Sequence, residues 1–510
     1  MLSLGQMYSY ILETFPVFLH ELMSVQMMTA LLLGMVGGMI IGALPGLNSL
    51  MGISVMIPFT YAMSPVPAMT MLMAIYTAAI AGGSLTAIMI HTPGTPANMA
   101  TIIGGHQMAQ RGEALKAMNV SLFSSMMGSV FSGLALLFIS PLLARIGLLF
   151  DSPEYFMIAL FGIGIIASMT EGMMIKGFAA GFFGMMLSTI GMAPLSGTDR
   201  FTFGSIYLMD GLKTTVVVLG VFSISQVLML MEHMGPREQE KEKLAAQITG
   251  EKFLSGKEIM CILPTILRSS MLGIACGILP GAGGDIGGFL GYNSARRHAK
   301  DKEVFDKGNL ESVAGPEAAN NAVTGGAMIP LMTLGIPGSS AAALLLGGLM
   351  IHGLQPGMAL FTTQAETVYP IIFGFILSGI LLLPVGMILA RCVTMIAKIP
   401  IAVLCPLITV LSILGAYSIS NRVFDIYIVV LFGIIGYFIR KAGYPLSGFV
   451  LGMLLGNMAE MGLTRTITLS RGHVISYFLH RPICVGLGLI LLMSMGYPAV
   501  KTFLGRKSGH

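Results

Sequence analysis

The sequence predicts an all-α, polytopic membrane protein with roughly 10–12 transmembrane segments in a single membrane domain, residues 1–510. Apolar residues make up 55% of the chain, charged residues make up 10%, and the mean hydropathy is +0.84. A soluble chain carries about 25% charged residues, so this composition excludes a soluble globular protein. Apolar stretches long enough to cross a hydrocarbon core of ~30 Å recur along the chain, for example at 25–43, 117–139 and 370–390.

Helices are the expected form of these stretches. Only helices or a closed β-barrel satisfy their backbone hydrogen bonds in lipid, and the stretches are too long and too uniformly apolar for barrel strands. The net charge of +5 is modest and most basic residues lie in loops, so no nucleic-acid partner is predicted. The five cysteines lack CxxC or zinc-ligand spacing, so neither a metal nor a disulfide is predicted.

Two parts of the sequence repeat the same motifs in the same order: a Leu-Pro-Gly break, a Gly-Gly pair and a Pro-Gly break. They are Leu44-Pro45-Gly46, Gly82-Gly83 and Pro93-Gly94 in the first copy, and Leu279-Pro280-Gly281, Gly325-Gly326 and Pro337-Gly338 in the second. From the first glycine of the pair to the proline there are 11 residues in the first copy and 12 in the second. The motifs predict a first repeat core at 25–112, a second at 259–357, and C-terminal helices at 358–510.

The two copies are predicted to be inverted relative to each other. The Leu-Pro-Gly breaks are interpreted as tips of re-entrant hairpins, about 25–63 and 259–295, and the Pro-Gly breaks as interruptions of spanning helices. One side of the membrane then receives 20 of the 28 lysines and arginines and the other receives seven, which makes the first side cytoplasmic. Inverted repeats of this kind are common in proteins that alternate access to one site. The alternative is that the Pro-Gly breaks only kink the helices and form no binding site.

Polar residues cluster at the four breaks. A half-helix N-terminus offers free N–H groups and a positive dipole end to a carboxylate, and freed backbone carbonyls can coordinate a cation. The predicted substrate-binding residues are Pro45, Gly46, Asn48, Ser49, Thr92, Pro93, Gly94, Thr95, Asn98, Gly281, Gly283, Gly284, Asn320, Asn321, Pro337, Gly338, Ser339 and Ser340. The predicted ion-coupling residues are Ser84, Asp285, Glu317, Asn320, Asn321 and Thr333.

Each of these groups also has a structural interpretation. Serine and threonine hydroxyls in membrane helices often bond only a neighbouring helix or the preceding turn. Asn320-Asn321 fits that interpretation less well, because adjacent amides in an apolar segment need partners. Asp285 and Glu317 are candidate intramembrane acids, although Glu317 follows a basic loop, where a solvated or helix-capping role is the alternative.

Several long strings make the sequence similar to the large membrane subunit, or permease, of the tripartite tricarboxylate transporter family. The most specific are GILPGAGGDIGGFLGYNSARR, GPEAANNAVTGGAMIPLMTLGIPGSSAAALLLGGLMIHGLQPG and GAYSISNRVFDIYIVVLFGIIGYFIRKAGYPLSGFVLGMLLGNMAE, and the resemblance covers almost the whole chain. It implies a secondary transporter, driven by Na⁺ or H⁺ and without a cofactor, that imports tri- or dicarboxylates across the bacterial inner membrane. It also implies two partners, a small four-helix membrane subunit and a periplasmic solute-binding protein. His106 and Asp285 depart from the residues usual in the family.

Two other classes of function remain alternatives. A transporter of another family that works alone is the first, and co-purification of partner subunits discriminates it. An intramembrane aspartyl protease is the second, because GAGGD at 281–285 nearly matches GxGD, but no second aspartate lies centrally in an apolar span. No Ser-His or HExxH arrangement supports another enzyme, so the protein is predicted not to be one.

Overall fold

The computed structural model describes residues 4–44, 47–91, 98–147, 149–169, 174–232, 254–279, 283–392 and 401–492. This part of the chain is almost entirely helical, with a two-stranded antiparallel ribbon that pairs Gly191–Met192 with Asp199–Arg200. Seven helices within it are long and apolar enough to cross a membrane, and shorter apolar helices accompany them. The predicted all-α polytopic membrane fold is confirmed, and the number of roughly 10–12 segments stays a prediction.

The described residues of the first half of the chain form eleven α-helices. They are α1 (Leu4–Leu22), α2 (Val25–Ala43), α3 (Ser49–Met56), α4 (Pro65–Ile90), α5 (Met99–Gln110), α6 (Ala114–Gly147), α7 (Ser152–Met169), α8 (Met174–Ser188), α9 (Ile206–Met209), α10 (Thr214–Leu219) and α11 (Ser225–Glu232). A 3-10 turn, Ile57–Ala62, leads into α4, and a π-helical turn, Gly220–Ile224, joins α10 to α11.

The second half continues with eleven more within the described ranges. They are α12 (Gly256–Ile278), α13 (Gly283–His298), α14 (Lys302–Asp306), α15 (Leu310–Leu334), α16 (Ser340–Ile351), α17 (Ala365–Ala390), α18 (Ile401–Ser420), α19 (Val423–Lys441), α20 (Leu446–Leu469), α21 (Val474–Leu479) and α22 (Pro482–Leu492). A 3-10 turn, Met358–Phe361, precedes α17.

Helices α4 and α15 form the centre of the protein. α4 is buried from Val66 to Met89, and α15 is buried from Ser312 to Thr333. Helix α2 packs along α4 as α12 packs along α15, while α6 packs most extensively on α15 and α17 packs on both α6 and α4. Helix α6, which follows the first copy, thus packs against the second copy, and α17, which follows the second copy, packs against the first. These contacts hold the two copies in one core.

The glycines of α2 and α4 let these helices touch backbone to backbone. A Cβ built on Gly42 would lie 1.9 Å from the carbonyl oxygen of Ala79, and one built on Gly82 would lie 2.3 Å from that of Met39. Real side chains do not approach this closely, so only glycine fits at either position. Gly37, on the same helix α2, has open space within 4 Å and is not constrained in this way.

The second copy contains the same reciprocal crossing. A Cβ on Gly277 would lie 2.7 Å from the carbonyl oxygen of Val323, and one on Gly326 would lie 2.7 Å from that of Ile274. Each glycine meets the carbonyl three residues before the other, as in the first copy. Gly277 therefore corresponds to Gly42.

This crossing revises the alignment of the two copies. Gly326, rather than Gly325, corresponds to Gly82, so the interval to the proline of the Pro-Gly break is 11 residues in both copies, ending at Pro93 and Pro337. Sequence comparison alone gave 12 for the second copy because it counted from the first glycine of the pair.

The central helices also end alike. His91 follows α4 with φ 53°, and Gly335 follows α15 with φ 73°, so both helices stop at a left-handed residue just before a Pro-Gly pair. The left-handed conformation breaks the helical path and directs the chain into the second half-helix.

The segment 25–63 turns back on itself. At its ends, the Ser64 hydroxyl donates to the Gln26 side-chain oxygen over 2.9 Å, so both ends lie beside the start of α4. In the second copy, Thr265 on α12 donates to Glu311 over 3.1 Å, and Arg296 in the last turn of α13 pairs with Asp306 at the end of α14, shortly before α15. These contacts fit the two predicted hairpins. Their re-entrant insertion stays a prediction.

Candidate functional site

A buried carboxyl group lies where the two copies meet. Glu317, in the N-terminal half of α15, is fully buried and accepts hydrogen bonds from three hydroxyl groups. Ser84 on α4 donates to its Oε1 over 2.6 Å, Thr101 on α5 also donates to Oε1, and Ser125 on α6 donates to Oε2 over 2.9 Å. The solvated or helix-capping alternative for Glu317 is therefore wrong, because helices from the other copy enclose the side chain.

Asn98 extends this network across the first Pro-Gly break. Its side-chain amide donates to the Ser84 hydroxyl over 2.6 Å and to the Ile80 carbonyl over 2.9 Å. A Cβ on Gly83 would lie 2.3 Å from the Asn98 side-chain oxygen, so the missing side chain at Gly83 leaves room for the amide. Asn98 thereby fixes the start of α5 against the last part of α4.

One face of α15 continues the polar surface beyond Glu317. Asn320 and Asn321 are three and four residues further along the helix, the spacing that puts side chains on the same face. Ser129 on α6 lies 3.5 Å from the Asn321 side-chain oxygen, at the long limit of a hydrogen bond. Further along, a Cβ on Gly325 would meet the hydroxyl of Ser132 at 2.5 Å. A row of small and polar residues on α6 thus faces α15.

Three of the four side-chain polar atoms of the asparagine pair lack a partner in the described part of the chain. Both side-chain polar atoms of Asn320 and the amide nitrogen of Asn321 are buried without a hydrogen bond. An unpartnered buried amide costs roughly 1–3 kcal/mol, so native proteins rarely keep one without a reason. The pair presents N–H donors for an anion, and Asn320 presents an oxygen atom for a cation. No group of three or more metal-ligating side chains occurs among the residues described.

The residues beside the breaks cap the half-helices. Asn48 accepts a hydrogen bond from the Met51 amide over 3.2 Å at the start of α3, next to the buried Ser49. Ser339 accepts one from the Ala342 amide over 3.1 Å at the start of α16. Side-chain oxygens therefore satisfy amides that the sequence argument assigned to a carboxylate. The Ser339 hydroxyl also lies 2.8 Å from that of Tyr76 on α4.

Other predicted residues of the second break have mainly structural contacts. A Cβ on Gly338 would lie 2.0 Å from the Gly277 carbonyl oxygen, so packing against α12 explains this glycine without a ligand. Thr333 donates to the Ile329 carbonyl of its own helix over 2.7 Å. Pro337 is buried, and Ser340 is half-buried at the first position of α16.

Some predicted residues lie outside the described residues. These are Pro45, Gly46, Thr92, Pro93, Gly94, Thr95 and Gly281. The backbone of Gly283, Gly284 and Asp285 forms the first turn of α13. The structure thus brings together Ser84, Asn98, Glu317, Asn320 and Asn321. Asn48 instead caps α3, and Thr333 bonds the backbone of its own helix.

Sequence reasoning missed Thr101, Ser125 and Ser129, which complete the network around Glu317 and Asn321. A signal was present for α6, where buried serines recur every three to four residues in an apolar helix: Ser121, Ser124, Ser125, Ser129 and Ser132. That spacing puts polar groups on one helix face.

Known proteins resemble this chain over most of its length. The family model described as "Tripartite tricarboxylate transporter TctA family" matches residues 28–451. The chain is 32% identical over 472 residues to an Agrobacterium vitis protein named "Uncharacterized 52.8 kDa protein in TAR-I ttuC' 3'region", covering 92% of this chain and 93% of that protein.

A second Agrobacterium vitis protein, "Uncharacterized protein in TAR-II ttuC' 3'region", is 34% identical over 233 residues, which is 45% of this chain and 96% of that protein. No solved structure is significantly similar to the chain.

Proposed function

The chain belongs to the tripartite tricarboxylate transporter TctA family, and from that membership we propose that it is the permease subunit of an ion-gradient-driven importer of small carboxylates. Its partners in this proposal are a small four-helix membrane subunit and a periplasmic solute-binding protein that delivers the substrate. The membrane is the bacterial inner membrane. The family and the apolar helices make it a multi-pass membrane component of a tricarboxylate transporter.

The observation that carries the proposal is the asparagine pair beside the buried acid, because three of its four side-chain polar atoms have no partner among the described residues. In this proposal, Asn320 and Asn321 donate to a substrate carboxylate, and Glu317, one helical turn earlier, takes part in ion coupling. Polar groups buried in a membrane protein without partners mark substrate and ion pathways, because burying them there costs free energy that only a function explains. The elements that meet there come from both copies, which is where transporters built from repeats bind their substrates.

The ion pairs of the described residues support the proposed sidedness. Lys441, assigned to the cytoplasmic side, pairs with Glu232, which leads into the 237–257 loop on the same side. Arg481, assigned to the outside, pairs with Asp151 and Glu154 at the start of α7. With this assignment, α4 runs inward and α15 outward, so we propose that the two copies are inverted and alternate access to the site between them.

Transport into proteoliposomes tests the proposal. The chain is reconstituted with the small membrane subunit and supplied with the binding protein, and labelled mono-, di- and tricarboxylates are offered under imposed Na⁺ or H⁺ gradients. We expect at least one di- or tricarboxylate to accumulate above its external concentration, and an ionophore to abolish the accumulation. Uptake no greater than in protein-free liposomes for the whole panel refutes the proposal.

A further inference from the structure

We propose that the coupled ion is a proton carried by Glu317, and that the ionised side chain keeps the substrate carboxylate away from Asn320 and Asn321 until it is protonated. The inference rests on the proposed function and deepens it. It assigns the proton and the substrate to neighbouring groups on one face of α15.

The hydroxyl groups around Glu317 suit a proton. Each is in direct hydrogen-bond contact with a carboxyl oxygen, over 2.6 Å from Ser84 and 2.9 Å from Ser125. A hydroxyl can donate to a carboxylate or, after rotation, accept from a carboxylic acid, so both protonation states fit without backbone movement. The Ser84 oxygen already accepts an N–H from Asn98 over 2.6 Å, and its second lone pair can accept the proton of a carboxylic acid.

The surroundings do not neutralise an ionised Glu317. Within the described residues no basic side chain forms an ion pair with it, and the described parts of α4 and α16 contain no charged side chain. A carboxylate buried without a counter-charge is costly, and binding a proton removes that cost.

Several ionisable groups on the other helices packed against α15 contact residues other than Glu317. His106 on α5 contacts the Ile88 carbonyl and the Gln110 amide. Lys116 on α6 pairs with Glu258, and Arg268 on α12 bonds Thr265. On α4, Tyr76 contacts Ser339, and on α13, Tyr292 packs against Phe305. Asp285 is the acid of α13, in the first turn of that helix.

The spacing along α15 sets the strength of the coupling. Side chains three or four residues apart on a helix are about 5–6 Å apart. Two negative charges about 6 Å apart, at the effective dielectric constant of ~20 that suits protein sites, repel enough to weaken binding on the order of 100-fold. Protonation of Glu317 therefore favours substrate binding by that factor, and by linkage the substrate favours protonation equally.

The test replaces Glu317 by glutamine, which keeps the shape and a hydrogen-bonding side chain but carries no charge. Wild-type and Glu317→Gln proteins are reconstituted with their partner subunits, and citrate is the probe. We expect the variant to exchange citrate across the membrane, with an affinity that no longer falls as pH rises, and to lose accumulation driven by a proton gradient. Because citrate ionises identically in both experiments, the ratio of the two affinities isolates Glu317.

Ser378→Ala is the matched control, since Ser378 on α17 donates only to the Phe375 carbonyl of its own helix among the described contacts. It is expected to retain both exchange and proton-driven accumulation. Proton-driven accumulation by Glu317→Gln, or wild-type accumulation that follows a sodium gradient and ignores a proton gradient, overturns the inference. If wild type does not transport citrate, the same experiments use another carboxylate of the panel, and failure of the whole panel with every gradient refutes the proposed function instead.

A measurement on the wild-type protein covers the case in which the glutamine variant does not fold. Citrate is added to the purified protein in weakly buffered solutions at several pH values across the range in which citrate affinity falls, and proton uptake is followed with an indicator dye. After correction for citrate's own protonation, we expect uptake of about one proton per citrate bound. Citrate binding without proton uptake at every pH across the range in which citrate affinity falls overturns the inference.

Discussion

Two buried asparagines near the site differ in what their side chains contact. Asn98 donates to Ser84 and Ile80, whereas the side-chain atoms of Asn320 have no partner among the described residues. Truncating Asn98 leaves buried acceptors unsatisfied, while truncating Asn320 removes the unsatisfied group itself. We predict that Asn98→Ala lowers the free energy of unfolding by roughly 1–3 kcal/mol and that Asn320→Ala does not lower it.

Thermal unfolding of the purified proteins in one detergent, without substrate, measures this difference. Equal losses of melting temperature in the two variants contradict the assignment, because Asn320 then makes stabilising contacts in the native protein.

For single residues, the sequence identified the polar site residues of α15 better than their hydrogen-bond partners on other helices. Asn320, Asn321 and Glu317 were found because polar groups in an apolar helix need an explanation. Thr101 and Ser125 were missed because they meet Glu317 across 216 and 192 residues of chain, and no local pattern encodes that contact. The solvated or helix-capping alternative for Glu317 came from its closeness in sequence to a basic loop. In the folded protein, residues of α5 and α6 contact the carboxyl group, and it is buried.

The crossing of α2 and α4 gives a prediction for a whole element. A Cβ on Gly42 would lie 1.9 Å from a backbone oxygen, so Gly42→Ala forces the helices apart and should destabilise the protein by about 1–3 kcal/mol or more. Gly37→Ala, in the same helix with open space around it, should be neutral or stabilising by up to about 1 kcal/mol.

Melting temperature and the yield of monodisperse protein check the pair of variants. Gly277→Ala should repeat the effect of Gly42→Ala in the second copy, because its added Cβ would also meet backbone. If Gly42→Ala behaves like Gly37→Ala, the helices do not cross as closely as described.

The elements themselves were largely predictable. The Leu-Pro-Gly and Pro-Gly motifs predicted breaks, and α4 and α15 do end three residues before the prolines of their Pro-Gly pairs. Sequence comparison paired Gly82 with Gly325, whereas the reciprocal backbone contacts pair it with Gly326. Adjacent glycines are chemically identical in sequence, and only the neighbouring helix distinguishes them.

For the whole molecule, the inverted arrangement predicts which loops share a side. Single cysteines replacing Lys300 and Ser196, both exposed, are introduced into a protein without its five native cysteines. A membrane-impermeant maleimide added to intact cells should label the cysteine at 196 and not the one at 300. In inside-out vesicles, the maleimide should label the cysteine at 300 and not the one at 196. Labelling of both positions from one side contradicts the inverted repeats and the hairpins from which the sides were assigned.

The central claim, that Asn320 and Asn321 bind the substrate carboxylate, is tested most directly by measuring the affinity for carboxylate in variants of this pair. Uptake of the transported carboxylate is measured as a function of concentration for wild type, Asn320→Ala, Asn321→Ala and the control Ser378→Ala, with melting temperatures recorded for each. A lost hydrogen bond to a charged group weakens binding by about 1.5–3 kcal/mol, so each asparagine variant should need roughly 10–100 times more substrate at an unchanged melting temperature. Wild-type affinity in both asparagine variants contradicts the claim.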